Sequence, residues 1–209
     1  MFDLEPYGGT GLLGMFPLFL MRTSDAMPPR LSVVFRRLVC MSSFPACWRQ
    51  AYVTQIPKGP PSYSVANYTP ISIPSVLFTV FKGLVSVRLG RFMERHWYAS
   101  NHSVCYRKRL GTCDALLYMS LTLQSALDSG QEARIVQIDF SAAFDMVNLK
   151  GILYTLCSVG IGGFVLSTLT QFLSNRSLHF MVEGYRSKHV NIVSGVQQGS
   201  VFLPLEFLI

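Results

Sequence analysis

Apolar residues recur at helical spacing in four stretches of the chain. In the first, the repeat begins at Leu31 behind the pair Pro28 and Pro29, which favours a helix start, and it should end near Ser42. The other helices are predicted at residues 76–93, at residues 112–127, and after the glycine-rich break at residues 160–163. Helices should therefore form a large part of the fold.

Short apolar runs predict strands between these helices. They lie at residues 51–56 and 134–140, and residues 178–182 and 189–193 alternate as a hairpin around residues 183–185. The run at 134–140 is predicted to be buried, and the following residues to turn at 141–147 into a helix that continues through 156. Short strands interspersed with long helices predict a mixed α/β (α+β) fold, as one domain with an appendage.

The composition is typical of a folded protein rather than a disordered one. Half of the 209 residues are hydrophobic, 12% are aromatic and 14% are charged. The 18 Lys and Arg residues exceed the 11 Asp and Glu residues, so the chain should attract polyanions such as nucleic acid. This charge balance alone identifies no ligand.

The expected location is intracellular, in the cytoplasm or nucleus. The five cysteines include no CxxC pair, so free thiols are favoured over a zinc ribbon or a disulfide framework. Asp3 and Glu5 precede the first apolar run, where an export signal would carry positive charge. The apolar run at 11–21 is about half as long as a membrane-spanning helix, so no membrane partner is expected.

Asp139 is the first candidate for chemistry. It ends the apolar run at 136–138, and open α/β folds place reactive groups at such strand ends. A strand-terminal aspartate can equally cap the next helix. From the residue pattern alone both interpretations stay open.

Several strings around this aspartate resemble the non-long-terminal-repeat (LINE-type) reverse transcriptases. Residues 137–145, QIDFSAAFD, resemble the first palm motif of that family. Upstream, residues 56–58 and 67–72 (IPK and NYTPIS) resemble a fingers segment that the family writes IPK and NYRPIS. Downstream, residues 195–205 (GVQQGSVFLPL) resemble the family segment GVPQGSVLGPLL, and residues 106–108 and 172–176 fit as well. The resemblance implies a right-hand polymerase, with a connector at 1–30, fingers at about 31–133 and a partial palm at 134–209.

The resemblance also implies roles for individual residues. Asp139 would ligate two Mg²⁺ ions and the Phe140 carbonyl one of them, because nucleotide transfer uses a pair of metal ions. Phe144 would exclude a 2′-hydroxyl as a steric gate, or it is a core residue. Lys58 would neutralise the triphosphate, or it is a solvated loop lysine.

Further residues would contact the nucleic acid. Gln198, Gly199 and Ser200 would form a turn against the templating base pair, although a plain turn also explains the glycine. Phosphate contacts are expected from basic residues, and for the three on the helix at 76–93 a solvated face is an equal alternative. These basic residues are Arg88, Arg91, Arg95, Arg107, Lys108 and Arg109. Asp145 is interpreted as an aspartate in the first turn of a helix, and the four histidines receive no chemistry.

The chain also departs from the family pattern. The family's second acidic motif, of the Ala-Asp-Asp type, would lie beyond Ile209, so the Mg²⁺ site is expected to be incomplete. Thr69 stands where the family has an arginine, Gln197 replaces a proline, Leu203 replaces a glycine and Glu206 adds a charge to an apolar run. These substitutions at functional positions suggest a degenerate copy of a retroelement.

The function implied by the resemblance is RNA-directed DNA synthesis. An intact relative would add deoxynucleotide triphosphates to a DNA primer on an RNA template, whereas this chain is expected to be inactive. One alternative is a basic nucleic-acid-binding remnant without catalysis. Another is a non-functional relic with apolar surface uncovered around residues 135–138.

Overall fold

A computed structural model describes residues 9–60, 64–96, 104–105, 109–182 and 184–196. Within these residues the chain forms six helices: α1 (Pro17–Arg22), α2 (Met27–Met41), α3 (Val76–Arg95), α4 (Thr112–Asp128), α5 (Leu149–Ser158) and α6 (Gly163–Leu173). The strands are β1 (Gln50–Pro57), β2 (Tyr68–Ile73), β3 (Arg176–Val182), β4 (Tyr185–Arg186) and β5 (Val190–Ile192). The predicted mixed α/β class is confirmed.

The strands form one mixed sheet in which β1 is central. It pairs antiparallel with β2 and parallel with β3. β3 in turn pairs antiparallel with β4 and β5. The β3–β5 pairing confirms the hairpin predicted from alternation.

An aromatic cluster forms the centre of the core. Phe44 and Trp48 lie just before β1 and contact Phe78 and Phe81 of α3, with ring centroids 5.2 Å apart for Phe44 and Phe81 and 5.3 Å apart for Trp48 and Phe78. Phe172 of α6 joins them, its ring 5.1 Å from that of Phe78. The core and the sheet therefore both contain segments from before and after residue 134, where the palm was predicted to begin. The proposed boundary between fingers and palm stays a prediction.

The predicted strand at 134–140 is wrong. Residues 131–140 have no regular secondary structure, and Ile135, Val136 and Ile138 are 63%, 83% and 75% exposed. A strand needs a neighbour for its backbone hydrogen bonds, and no described segment pairs with this one. Its apolar side chains are therefore uncovered, as the relic hypothesis expects.

The helix predicted to follow begins later than expected. Ala142 has φ +53°, and its carbonyl accepts hydrogen bonds from the N–H groups of Asp145 and Met146, so these residues form turns. Asn148 then caps α5, because its Oδ1 accepts from Lys150 N at 3.0 Å and Gly151 N at 3.2 Å.

Strand β2 was not predicted. Its sequence contains Pro70, which lacks a backbone N–H and argues against a central strand. The structure accommodates this proline because β2 lies at the edge of the sheet.

The structure bears on the expected state of the cysteines and on the expected lack of a membrane span. All five cysteines are free thiols, as predicted. Among the described residues, no helix is both long enough and apolar enough to cross a membrane.

Candidate active site

Backbone hydrogen bonds bring two of the motif-bearing segments together. The N–H of Gly195 donates to the Val147 carbonyl at 2.9 Å, and the N–H of Val196 donates to the Phe144 carbonyl at 2.9 Å. The turn that follows Asp139 therefore lies beside the start of the glycine-rich segment, although nearly fifty residues separate them in the chain.

Gly195 permits this close approach. Its φ is +80°, and a Cβ at this position would lie 2.8 Å from the Asp145 carbonyl oxygen and 2.9 Å from the Asp145 Cα. Only glycine fits both the left-handed backbone and the contact.

Arg176, on the sheet, forms a hydrogen bond with the same glycine. It is the first residue of β3 and is buried, and its Nη2 donates to the Gly195 carbonyl. In the sequence, Arg176 was recognised only as part of a string that fits the family, and its contact with Gly195 was not predicted. An arginine opening an apolar strand was the available signal, because a charged side chain there needs a partner.

A cavity of about 480 Å³ opens beside these segments on the sheet. Its walls include Gln55 of β1, Tyr68 of β2 and Phe180 of β3, together with Asp145 and Gly195. Asp145 is thus a wall residue in a turn, and its interpretation as a first-turn helix aspartate is wrong because α5 begins only at Leu149.

Asp139 and Phe140 lie apart from this cavity, in the exposed segment before the turn. Phe140 is 74% exposed, and neither residue is among those lining the cavity. Within the described part of the chain, no three His, Cys, Asp or Glu residues are grouped to hold a metal ion. A single exposed carboxylate does not fit a two-metal site, so the described residues alone do not form one.

Lys58 and Phe144 occupy different surroundings. Lys58 is exposed, its Nζ donates to the Ala66 carbonyl at 3.1 Å, and its N–H donates to the Asn67 carbonyl at 2.8 Å. Phe144 is half-buried and packs against the main core. Their roles toward a nucleotide stay predictions.

The remaining candidates fall into two groups. Gln198, Gly199, Ser200, Arg107 and Lys108 lie outside the described residues, as do the departures at 197, 203 and 206. Arg88, Arg91 and Arg95 are exposed along α3.

One histidine has a structural position that the sequence did not indicate. His179 is buried on β3, and its Nε2 lies 2.7 Å from Nη2 of Arg186. Its Nδ1 lies 3.3 Å from the Ser187 carbonyl oxygen. Because this carbonyl can only accept, Nδ1 carries the proton and Nε2 accepts from the guanidinium, so His179 ties the hairpin strands together.

A mixed α/β fold that joins two polymerase-like motif segments is consistent with part of a nucleic-acid polymerase. No protein-family model matches the chain. It is 28% identical over 190 residues to a probable RNA-directed DNA polymerase from transposon BS of Drosophila melanogaster, covering 88% of this chain and 21% of that protein. It is also 27% identical over 176 residues to the probable RNA-directed DNA polymerase from transposon X-element of the same organism, covering 84% of this chain and 19% of that protein.

The mobile element jockey of Drosophila melanogaster supplies a third relative. Its RNA-directed DNA polymerase is 27% identical over 175 residues, covering 83% of this chain and 19% of that protein. The chain thus spans about a fifth of the length of the curated relatives it matches. The homologues of this chain are RNA-directed DNA polymerases of non-LTR retrotransposons, and the chain matches a fragment of such a protein.

Proposed function

We propose that this chain is the fingers and partial palm of a retroelement reverse transcriptase. In the intact enzyme this part would help to add deoxynucleotides to the 3′-hydroxyl of a DNA primer on an RNA template. The observation that carries the proposal is the pair of 2.9 Å backbone hydrogen bonds between the turn after Asp139 and the segment that begins at Gly195. Two segments that match separate family motifs are thereby held in contact.

The proposed roles follow from side-chain chemistry. Asp139 would contribute a carboxylate to Mg²⁺ and Phe140 its carbonyl oxygen, while Lys58 would offer a compact cation to the triphosphate. Phe144 would lie beneath the sugar, and Gln198, Gly199 and Ser200 would contact the templating base pair. Arg107 and Lys108 would bind backbone phosphate.

We further propose that the 209-residue chain does not catalyse nucleotide addition by itself. Asp139 has no grouped carboxylates among the described residues, and the charge of two Mg²⁺ ions needs several hard oxygen ligands. Thr69 lies on β2 opposite Ile56, so a hydroxyl stands where a forked guanidinium would be needed for the triphosphate.

A second candidate function is nucleic-acid binding without catalysis. The charge distribution favours it, since residues 26–113 contain twelve of the 18 basic residues and one of the 11 acidic residues, Glu94. Such a segment attracts a polyanion with an affinity that falls steeply with salt.

Primer extension tests the first proposal. The purified chain, its Asp139→Asn variant and a full-length relative would be incubated with Mg²⁺, deoxynucleotides and an RNA template annealed to a DNA primer. Circular dichroism would show whether both forms of the chain are folded. We expect extension by the relative alone, and salt-dependent binding of the same template and primer by the chain.

Each other outcome has a definite meaning. Extension that Asp139→Asn abolishes would overturn the proposed inactivity and show that the remaining ligands come from outside the described residues. Extension that Asp139→Asn leaves intact would overturn the role of Asp139. A folded chain that neither extends nor binds would overturn both candidate functions.

A further inference from the structure

Residues 134–139 form an exposed segment whose composition is typical of a β-strand. Its sequence is RIVQID, in which three of the six residues are β-branched and none is Gly or Pro. Every residue of the segment is exposed, and no described strand pairs with it. Short, exposed segments of high β-propensity and low net charge are ready to pair with another strand.

The described sheet offers few backbone partners for this segment. Its edge strand β2 contains Pro70, which has no N–H to donate, and β4 and β5 span only two and three residues. A second copy of the chain, in contrast, carries a segment of the same length that is exposed in the same way. Two such segments can pair in several registers, and these registers differ in how well the side chains match.

One antiparallel register matches both the charged and the apolar side chains. When Arg134 of each copy lies opposite Asp139 of the other, Ile135 lies opposite Ile138, and residues 136 and 137 face each other. Opposite side chains in an antiparallel pair project from the same face of the sheet, with Cβ atoms about 4.5–5.5 Å apart. The pair of segments therefore contains two Arg–Asp contacts and two Ile–Ile contacts.

The neighbouring registers lack these contacts. A shift by one residue places Arg134 opposite Ile138 or Phe140, neither of which is a carboxylate. Parallel pairing in register would place Arg134 beside Arg134 and Asp139 beside Asp139, and like charges opposite each other are destabilising. The charge pattern therefore selects the antiparallel register.

We propose that residues 134–139 pair with the same segment of a second copy of this chain, as antiparallel β-strands in which Arg134 of each copy lies opposite Asp139 of the other. The present ion pair of Arg134 with Glu132, at 3.2 Å, joins side chains that are 87% and 83% exposed. An ion pair so exposed contributes little, so Arg134 can exchange Glu132 for the new partner. The proposal needs neither nucleic acid nor polymerase activity and does not rest on the proposed function.

The two copies pair through different edges of their strands. In this register odd-numbered residues lie opposite even-numbered residues, and successive residues of a strand direct their backbone groups to opposite edges. The contact is therefore head-to-tail and not two-fold symmetric, and it leaves one edge of each copy open. Association is not limited to two copies.

Charge exchange tests this register by sedimentation velocity over a range of protein concentrations. Arg134→Asp places like charges opposite each other at both Arg–Asp positions, and so does Asp139→Arg. An equimolar mixture of these two variants restores opposite charges at both positions, and the double variant Arg134→Asp/Asp139→Arg restores them between identical copies. EDTA in the buffer prevents Mg²⁺ from competing for Asp139.

We expect each single variant to need about a tenfold higher concentration to associate, because two attractions become two repulsions. The mixture and the double variant should associate within about twofold of the concentration that the unmodified chain requires. Infrared spectroscopy should show antiparallel strand pairing that increases with concentration. Because the segment is exposed, circular dichroism should show that all the variants are folded alike.

Lys188→Asp and Asp25→Arg provide the matched control, since both residues are exposed and lie elsewhere in the fold. These two variants change the net charge by the same amounts as the two segment variants. Separately and as a mixture, they should associate as the unmodified chain does.

Several results would overturn the proposal. A monomer at every concentration would show that the segments do not pair. Equal association of the single variants and the unmodified chain would exclude the Arg–Asp contacts, and equal weakening in the control would mean that only net charge matters. A mixture that associates while the unmodified chain does not would assign parallel pairing.

Discussion

At Gly195 the backbone has φ +80°, and a Cβ at this position would collide with the Asp145 backbone. The Gly195→Ala variant should destabilise the fold by about 2–4 kcal/mol, because left-handed strain of about 1–3 kcal/mol adds to a forced displacement of the Asp145 carbonyl. Urea unfolding followed by tryptophan fluorescence would measure this change.

Gly160→Ala provides the matched control for that prediction. Gly160 has φ +87°, but a Cβ there would meet nothing within 4 Å, so this variant reports backbone strain alone. Equal destabilisation by the two alanine substitutions would show that the contact with Asp145 contributes nothing.

Single residues show why the candidate site was only partly predictable. Asp139 was identified from its string, which depends on the order of residues in the chain. The contact of Arg176 with Gly195 joins residues nineteen positions apart, and no local pattern encodes it. The burial of Phe144 against the core likewise depends on how α5 and the turn before it pack.

At the level of elements, the start of α5 depends on one side chain. Asn148→Ala should destabilise the protein by about 1 kcal/mol, since Oδ1 would no longer accept from two N–H groups at the helix start. Thermal unfolding by circular dichroism would detect this loss. Asn148→Asp keeps an acceptor oxygen and should retain most of the stability, so an equal loss in Asp and Ala variants would contradict the capping role.

Whether an element was predictable depended on where its hydrogen bonds are made. α3 and α6 satisfy their own backbone groups, and their apolar periodicity located them. The segment at 131–140 is as apolar as a strand but would need a neighbour, which the periodicity could not supply. β2 was not predicted because Pro70 is unfavourable in a strand. It forms nevertheless, because β1 supplies partners for its backbone hydrogen bonds.

On the scale of the whole molecule, α4 and the segment that follows it carry many exposed apolar side chains. Leu116, Leu121, Ile135, Val136 and Ile138 are each more than half exposed. Such surfaces bind hydrophobic dyes and favour self-association. Leu116→Gln/Leu121→Gln should therefore lower dye fluorescence and shift sedimentation toward the monomer.

A double substitution on another helix is the control for this region. Val33 and Met41 of α2 are similarly exposed, at 66% and 67%. Val33→Gln/Met41→Gln should change dye binding and sedimentation less than the α4 variant, because α2 carries fewer exposed large apolar residues than α4. A larger change in the α2 variant would show that self-association involves α2.

The parallel pairing of β1 with β3 has a consequence for the nascent chain. β3 begins at Arg176, so about 120 residues must be synthesised after β1 ends at Pro57 before its second edge is covered. At 5–20 residues per second this takes roughly 6–25 s on the ribosome. During that interval the β1–β2 ribbon presents an open edge that could pair with another chain, so we expect co-translational chaperones to aid the folding of this protein.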